Sequence, residues 1–148
     1  MNFLIVTGLS GAGKSMAVNA LEDIGFFCID NIPAGLLPRI LDFAQQGENQ
    51  LSRVAVVMDI RGLHSVQETN EALEALDEKK MPYDILFLDA SDAAIRRRYK
   101  ETRRVHPMTI SEGIPVSEAI TKERQILQPL RERAKYVIDT SLLSTAQN

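Results

Sequence analysis

The segment Gly8-Leu9-Ser10-Gly11-Ala12-Gly13-Lys14-Ser15 constrains this chain more than any other feature. It satisfies every fixed position of the phosphate-binding loop pattern. Directly before it, Phe3-Leu4-Ile5-Val6-Thr7 is an apolar run of the kind that forms a strand buried on both faces. Directly after it, Met16, Ala17, Ala20, Leu21 and Ile24 recur at helical spacing, and Gly25 suits the C-terminal cap. Glycines at 8, 11 and 13 let backbone amides turn inward around a phosphate without Cβ clashes. The helix beginning near Lys14 aims its positive end at the same anion. Lys14 then reaches the β and γ phosphates, and the Ser15 hydroxyl ligates Mg²⁺. The bland alternative is a glycine-rich turn that happens to precede a helix, and the agreement of loop and flanks weighs against it. The expected ligand is ATP or GTP with Mg²⁺.

The remaining chain alternates strand and helix patterns. Phe26–Ile29 reads as a second strand, with Asn31 as cap and Pro33 as first-turn proline of a helix through Leu36, Leu37, Ile40, Leu41 and Ala44, stopped by Gly47. Val54–Met58 is a third strand ending at Asp59, and a polar helix from Val66 to about Lys80 stops before Pro82. Ile85–Leu88 is a fourth strand ending at Asp89, followed by a strongly basic segment from Ala93 to His106. Ile120, Leu127 and Leu130 mark a later helix, expected to kink or break at Pro129, and Tyr136–Ile138 is a short fifth strand. Short apolar runs alternating with helices imply a three-layer α/β fold of the kinase-like P-loop NTPase type. Its central sheet would be mostly parallel, with about five strands covered on both faces. The strand ends that bind ligands would carry Gly8, Asp30, Asp59 and Asp89.

The chain has 148 residues, enough for one domain, assigned to residues 1–140. Residues 141–148 read as the start of a linker to a further C-terminal domain. A single cysteine, Cys28, excludes an intramolecular disulfide and a cysteine-cluster zinc site, and it reads as a core residue of its strand. A net charge of −3 does not advertise nucleic-acid or membrane binding. No apolar run approaches the roughly 20 residues that span a bilayer, and the expectation is a cytoplasmic protein without membrane contact.

Two aspartates compete to support the metal. Asp59 is favoured, because Arg61 and Gly62 follow it in an Asp-x-Arg arrangement similar to that of nucleoside kinases; Asp89 reads rather as a strand-end cap. Six basic residues, Arg96, Arg97, Arg98, Lys100, Arg103 and Arg104, lie together with only Glu101 to offset them. They read as a mobile lid closing over triphosphate, ahead of a solvated face, and both ahead of an RNA contact. Asp30 could hold or deprotonate an acceptor hydroxyl, although a helix-capping role is at least as good a reading. His64 and His106 have no partner at ligand spacing and read as surface loop residues.

Glu22-Asp23-Ile24-Gly25-Phe26-Phe27-Cys28-Ile29-Asp30-Asn31-Ile32-Pro33 and Thr102-Arg103-Arg104-Val105-His106-Pro107 add a resemblance to the phosphate loop. Asp59-Ile60-Arg61, Leu86–Ala90 and Val137–Ser141 extend it. Together these segments resemble the RapZ/YvcJ family of bacterial nucleotide-binding proteins over nearly the whole chain. The resemblance implies ATP and GTP binding with slow hydrolysis in some members, and it places a guanine-nucleotide segment on Val56, Val57, Met58 and Asp59. It also implies, for some full-length members, an RNase adapter that presents a small regulatory RNA to an endoribonuclease and so tunes amino-sugar synthesis. A C-terminal domain and a homo-oligomer belong to that full-length form.

Overall fold

A computed structural model describes residues 2–30, 32, 34–45, 53–58, 66–78, 82–102 and 106–141. Its elements run in the order β1 (Asn2–Gly8), α1 (Lys14–Asp23), β2 (Phe27–Ile29), a 3-10 turn (Ala34–Leu36), α2 (Leu37–Gln45), β3 (Arg53–Val57) and α3 (Val66–Glu78). Then come β4 (Asp84–Asp89), α4 (Asp92–Thr102), α5 (Pro107–Glu112), α6 (Val116–Arg133) and β5 (Tyr136–Asp139). The five strands form one parallel sheet in the order β2-β3-β1-β4-β5. The three-layer α/β architecture expected from the alternating pattern is the one observed. Asn31, Pro33, Gly47, Asp59, Arg61, Gly62, His64, Arg103 and Arg104, to which the sequence assigns roles, lie outside the described residues.

Side-chain alternation along the strands divides the core in two. Phe3 and Ile5 of β1, Val54 and Val56 of β3, and Ile85 and Phe87 of β4 point into the larger cluster. They meet Leu41 of α2, Leu73 and Leu76 of α3, and Ile120 and Leu127 of α6 there. Val6, Ala55, Val57 and Leu86 point the other way, into a smaller cluster with Val18 and Leu21 of α1. The imbalance follows from topology. The connection from β1 to β2 runs in one direction across the sheet and all later connections run in the other. Right-handed crossovers therefore leave α1, among the described residues, alone on its face and put α2, α3 and α6 on the opposite one. Both faces are covered, but unequally. At the β5 edge Tyr136, Val137 and Ile138 remain about half exposed, although they continue the apolar pattern of the inner strands.

Three elements differ from the sequence expectation: α5 (Pro107–Glu112) is a short helix where a loop rich in Gly and Pro is expected. α6 runs unbroken through Pro129. Proline removes one backbone donor, but Ile120, Ile126, Leu127 and Leu130 are buried along one face and hold the helix across the gap. The basic segment, expected as a lid, is largely the regular helix α4, capped at its start by the Ser91 hydroxyl, which accepts from the Ala94 amide.

Candidate functional site

The reversal of crossover direction opens a crevice between the carboxyl ends of β1 and β4, where ligands bind in open α/β sheets. The loop of residues 9–13 leaves β1 there. Gly8 has φ 147° and lies so close to β4 that a Cβ would come 2.2 Å from the Leu88 carbonyl oxygen. Only glycine fits this strand end. At the other end of the loop, Gly13 caps α1 in the left-handed conformation, φ 105°, and supplies no side-chain cap. A helix N-terminus without a side-chain cap, approached by glycines, suits an anion.

Lys14 folds back along the loop, donating from Nζ to the Gly8 and Leu9 carbonyls, each at 3.0 Å. Its ammonium is thereby held beside the loop backbone. Ser15 is exposed on the first turn of α1, so its hydroxyl is accessible as a metal ligand. Leu9 and Ala12 are buried and anchor the loop from beneath. This arrangement fits a Mg²⁺-bound nucleotide: the loop 8–13 and Lys14 can take the phosphates and Ser15 the ion.

The loop is braced from three other elements. Arg98 of α4 donates from Nη1 to the Gly11 carbonyl at 3.1 Å and to Thr140 Oγ1 at 3.0 Å, and from Nη2 to the Thr140 carbonyl. Thr140, just past β5, donates its hydroxyl to the Ala12 carbonyl at 2.8 Å. Arg98 is only 5% exposed, and burial, reinforced by the charge of Arg97, pulls its pKa down. It is therefore a brace under the loop rather than part of a mobile lid: its guanidinium is committed to the loop and to the end of β5. Arg97 and Arg96 are exposed, Arg97 reaching the Ser141 carbonyl and Arg96 the Ser117 hydroxyl.

The third brace comes from α6. Glu123 accepts from the Ser10 amide at 3.1 Å on each carboxylate oxygen and from the Ser10 hydroxyl at 2.7 Å. Behind it stands His106, 3.0 Å away through Nε2, and both side chains are fully buried. Because His106 Nδ1 accepts from the Met108 amide, Nε2 carries the hydrogen and donates to Glu123. His106 is thus no surface loop residue. It caps α5 and backs the carboxylate, and a loop position in the sequence conceals that contact.

Val56 and Met58 lie in the larger core cluster and Val57 in the smaller. Their side chains are packed in these clusters on the two faces of the sheet. β3 is an inner strand with neighbours on both sides, which leaves only its end at the crevice. Asp89 accepts from Arg124 at 3.0 Å, Arg131 at 3.2 Å and the Ala90 amide at 2.8 Å. Burial works against the charge of Arg124, but its bonds to Asp92 and Asp89 outweigh this and raise its pKa. Leu9, Phe87, Asp89, Arg124, Gln128 and Arg131 line a cavity of about 230 Å³ beside the loop. Asp30 is exposed one residue past β2, on the same sheet edge but with β3 between it and β1. Cys28 is half-buried against the smaller cluster, and desolvation, with help from Glu22, pushes its thiol pKa up.

Glu123, Thr140 and Arg124 were not singled out by sequence reasoning. Glu123 alone left a signal: an acid between Ile120 and Leu127 on the apolar stripe of its helix, where an unpaired charge is costly.

A parallel sheet in the order 2-3-1-4-5, with a glycine loop from the first strand into the first helix, defines a P-loop fold of the kinase-like type. The RapZ-like N-terminal domain model matches residues 1–148, and the chain belongs to that family. It is 46% identical over 147 residues to a nucleotide-binding protein of Alkaliphilus oremlandii, covering 99% of this chain and 50% of the relative. A nucleotide-binding protein of Moorella thermoacetica is 50% identical over 148 residues, covering 97% and 48%. The chain spans about half the length of the curated relatives it matches. Among solved structures it is similar to shikimate kinase from Bacteroides thetaiotaomicron, with a TM-score of 0.56 and 17% identity over 99% of this chain and 91% of that one. The tunicamycin resistance protein of Deinococcus radiodurans gives a TM-score of 0.62 at 12% identity, over 99% and 90%. These structural likenesses concern the fold. No helix among the described residues is long and apolar enough to cross a membrane.

Proposed function

We propose that this chain binds ATP or GTP with Mg²⁺ in the loop Gly8–Ser15 and hydrolyses it slowly. The observation that carries the reading is the loop itself: a glycine-lined turn ending at a left-handed Gly13 cap, with Lys14 lying along it. Lys14 takes the outer phosphates and Ser15 the metal ion, and Asp59 at the end of the third strand supports that ion. Arg97, Arg103 and Arg104 are the remaining lid candidates. Residues 1–140 form the nucleotide domain and 141–148 lead toward a further domain. In the full-length cytoplasmic protein, a homo-oligomer, the domain serves an RNase adapter that brings a small regulatory RNA to an endoribonuclease and so regulates amino-sugar synthesis. That wider role rests on the family resemblance.

Calorimetric titration with ATP and with GTP, each with and without Mg²⁺, tests the reading. Saturable, Mg²⁺-dependent binding supports it and gives the base preference. A folded sample that binds neither nucleotide overturns it.

A second reading has one observation in its favour. Asp30 is exposed at the sheet edge that carries the loop, as an acceptor base of a small-molecule kinase would be. Acceptor-dependent ADP release faster than basal hydrolysis, lost in Asp30→Asn, would favour it.

A further inference from the structure

Ser10 sits two residues past β1, in a loop built to hold anions, yet its amide and hydroxyl both donate to an anion of the protein itself. That anion, Glu123, is fully buried, and so is the imidazole that backs it. The contact is specific rather than incidental. Three bonds to Ser10 and one from His106 fix the carboxylate, and the Met108 amide fixes the donating nitrogen of His106. A carboxylate without solvent around it repels a second anion far more strongly than an exposed one would.

We propose that Glu123 is a positioning residue that sets the discrimination between nucleoside triphosphate and diphosphate, an inference that rests on the nucleotide reading of the loop. The inner phosphates belong to the α1 end, at the Gly13 cap where the helix terminus lies, while Lys14 Nζ reaches back to the Gly8 and Leu9 carbonyls at the other end. A third phosphate extends toward the other end of the loop, where Ser10 is already engaged. It must share Ser10 with the carboxylate or displace it, whereas a diphosphate meets no such competitor. Glu123 therefore penalises the triphosphate selectively.

The test compares affinities of the 148-residue chain for Mg²⁺-bound triphosphate and for diphosphate of the base it prefers. Glu123→Gln keeps the size of the side chain and one accepting oxygen but removes the charge. It is expected to raise the triphosphate-to-diphosphate affinity ratio by roughly tenfold, with diphosphate affinity changed less than about twofold. Ser10→Ala removes the hydroxyl bond and keeps the amide; a smaller shift in the same direction is expected, and this variant carries the test if Glu123→Gln fails to fold. An unchanged ratio in the folded variants overturns the proposal, as does an equal loss for both nucleotides, which marks a merely structural bond. Wild-type protein that binds neither nucleotide overturns the reading of the loop and the proposal with it. Wild-type binding with an unmoved ratio overturns the proposal alone.

Discussion

At Gly8 a single hydrogen in place of a methyl group decides whether β1 can lie against β4. A Cβ there would meet the Leu88 carbonyl oxygen at 2.2 Å, a backbone atom that cannot swing aside. Gly8→Ala is expected to destabilise the chain by about 3 kcal/mol, read as a lower urea midpoint with an unchanged denaturant slope. Lys14 shows the opposite balance. Its ammonium bonds two loop carbonyls at the surface of the fold and supports little of the core. Lys14→Ala should therefore weaken nucleotide binding by roughly tenfold to a hundredfold, while the thermal midpoint moves by only a few degrees. Calorimetry and a melting curve on one sample separate the two effects. Unchanged affinity would remove Lys14 from the site.

Among the elements, β5 is held less by burial than by its end. Its three apolar residues stay half exposed at the edge of the sheet. What joins the strand end to the site is Thr140, bonded to Ala12 and receiving Arg98. Thr140→Val keeps the shape and leaves the Ala12 carbonyl and one Arg98 donor without the hydroxyl. A cost of about 1–3 kcal/mol is expected. Hydrogen exchange should rise in both the loop 9–13 and β5, since one hydroxyl ties them together. Exchange rising in β5 alone would show that the tie does not reach the loop. α6 makes the complementary case. Its apolar stripe crosses Pro129 without a break, because the burial of four large side chains outweighs one missing backbone bond.

For the molecule as a whole, the acid limb of stability follows from paired surface carboxylates. The hydrogen bond from Arg133 holds Asp77 below its ordinary pKa, and bonds from Ser141 do the same for Asp139. A folded-state pKa below the unfolded one gives stability that is present above the unfolded value and lost as pH falls through the folded one. These groups therefore contribute fully at neutral pH, and their contribution declines below about pH 4. Thermal midpoints measured from pH 7 to pH 3 should stay level and then fall, and the fall should be shallower in Asp77→Asn. An identical acid limb in that variant would show that the Asp77–Arg133 bond does not persist in solution.

Local pattern was enough to place the five strands, α1, α2, α3 and α6, and the phosphate loop between its strand and helix, and hence the α/β class; α4 and α5 were not legible in it. These are local facts: periodicity, glycine placement and proline breaks act within a turn or two of chain. What the loop touches depends on how the chain folds back on itself. Arg98 reads as one of six basic residues within a nine-residue stretch, and folding buried it against residues 11 and 140. His106 reads as a lone loop histidine until Glu123, seventeen residues on, closes against it. The bonds of Glu123 to Ser10 and of Thr140 to Ala12 span 113 and 128 residues. No periodicity encodes a contact of that range. It arises because parallel crossovers carry every strand end to one edge of the sheet, where distant residues meet.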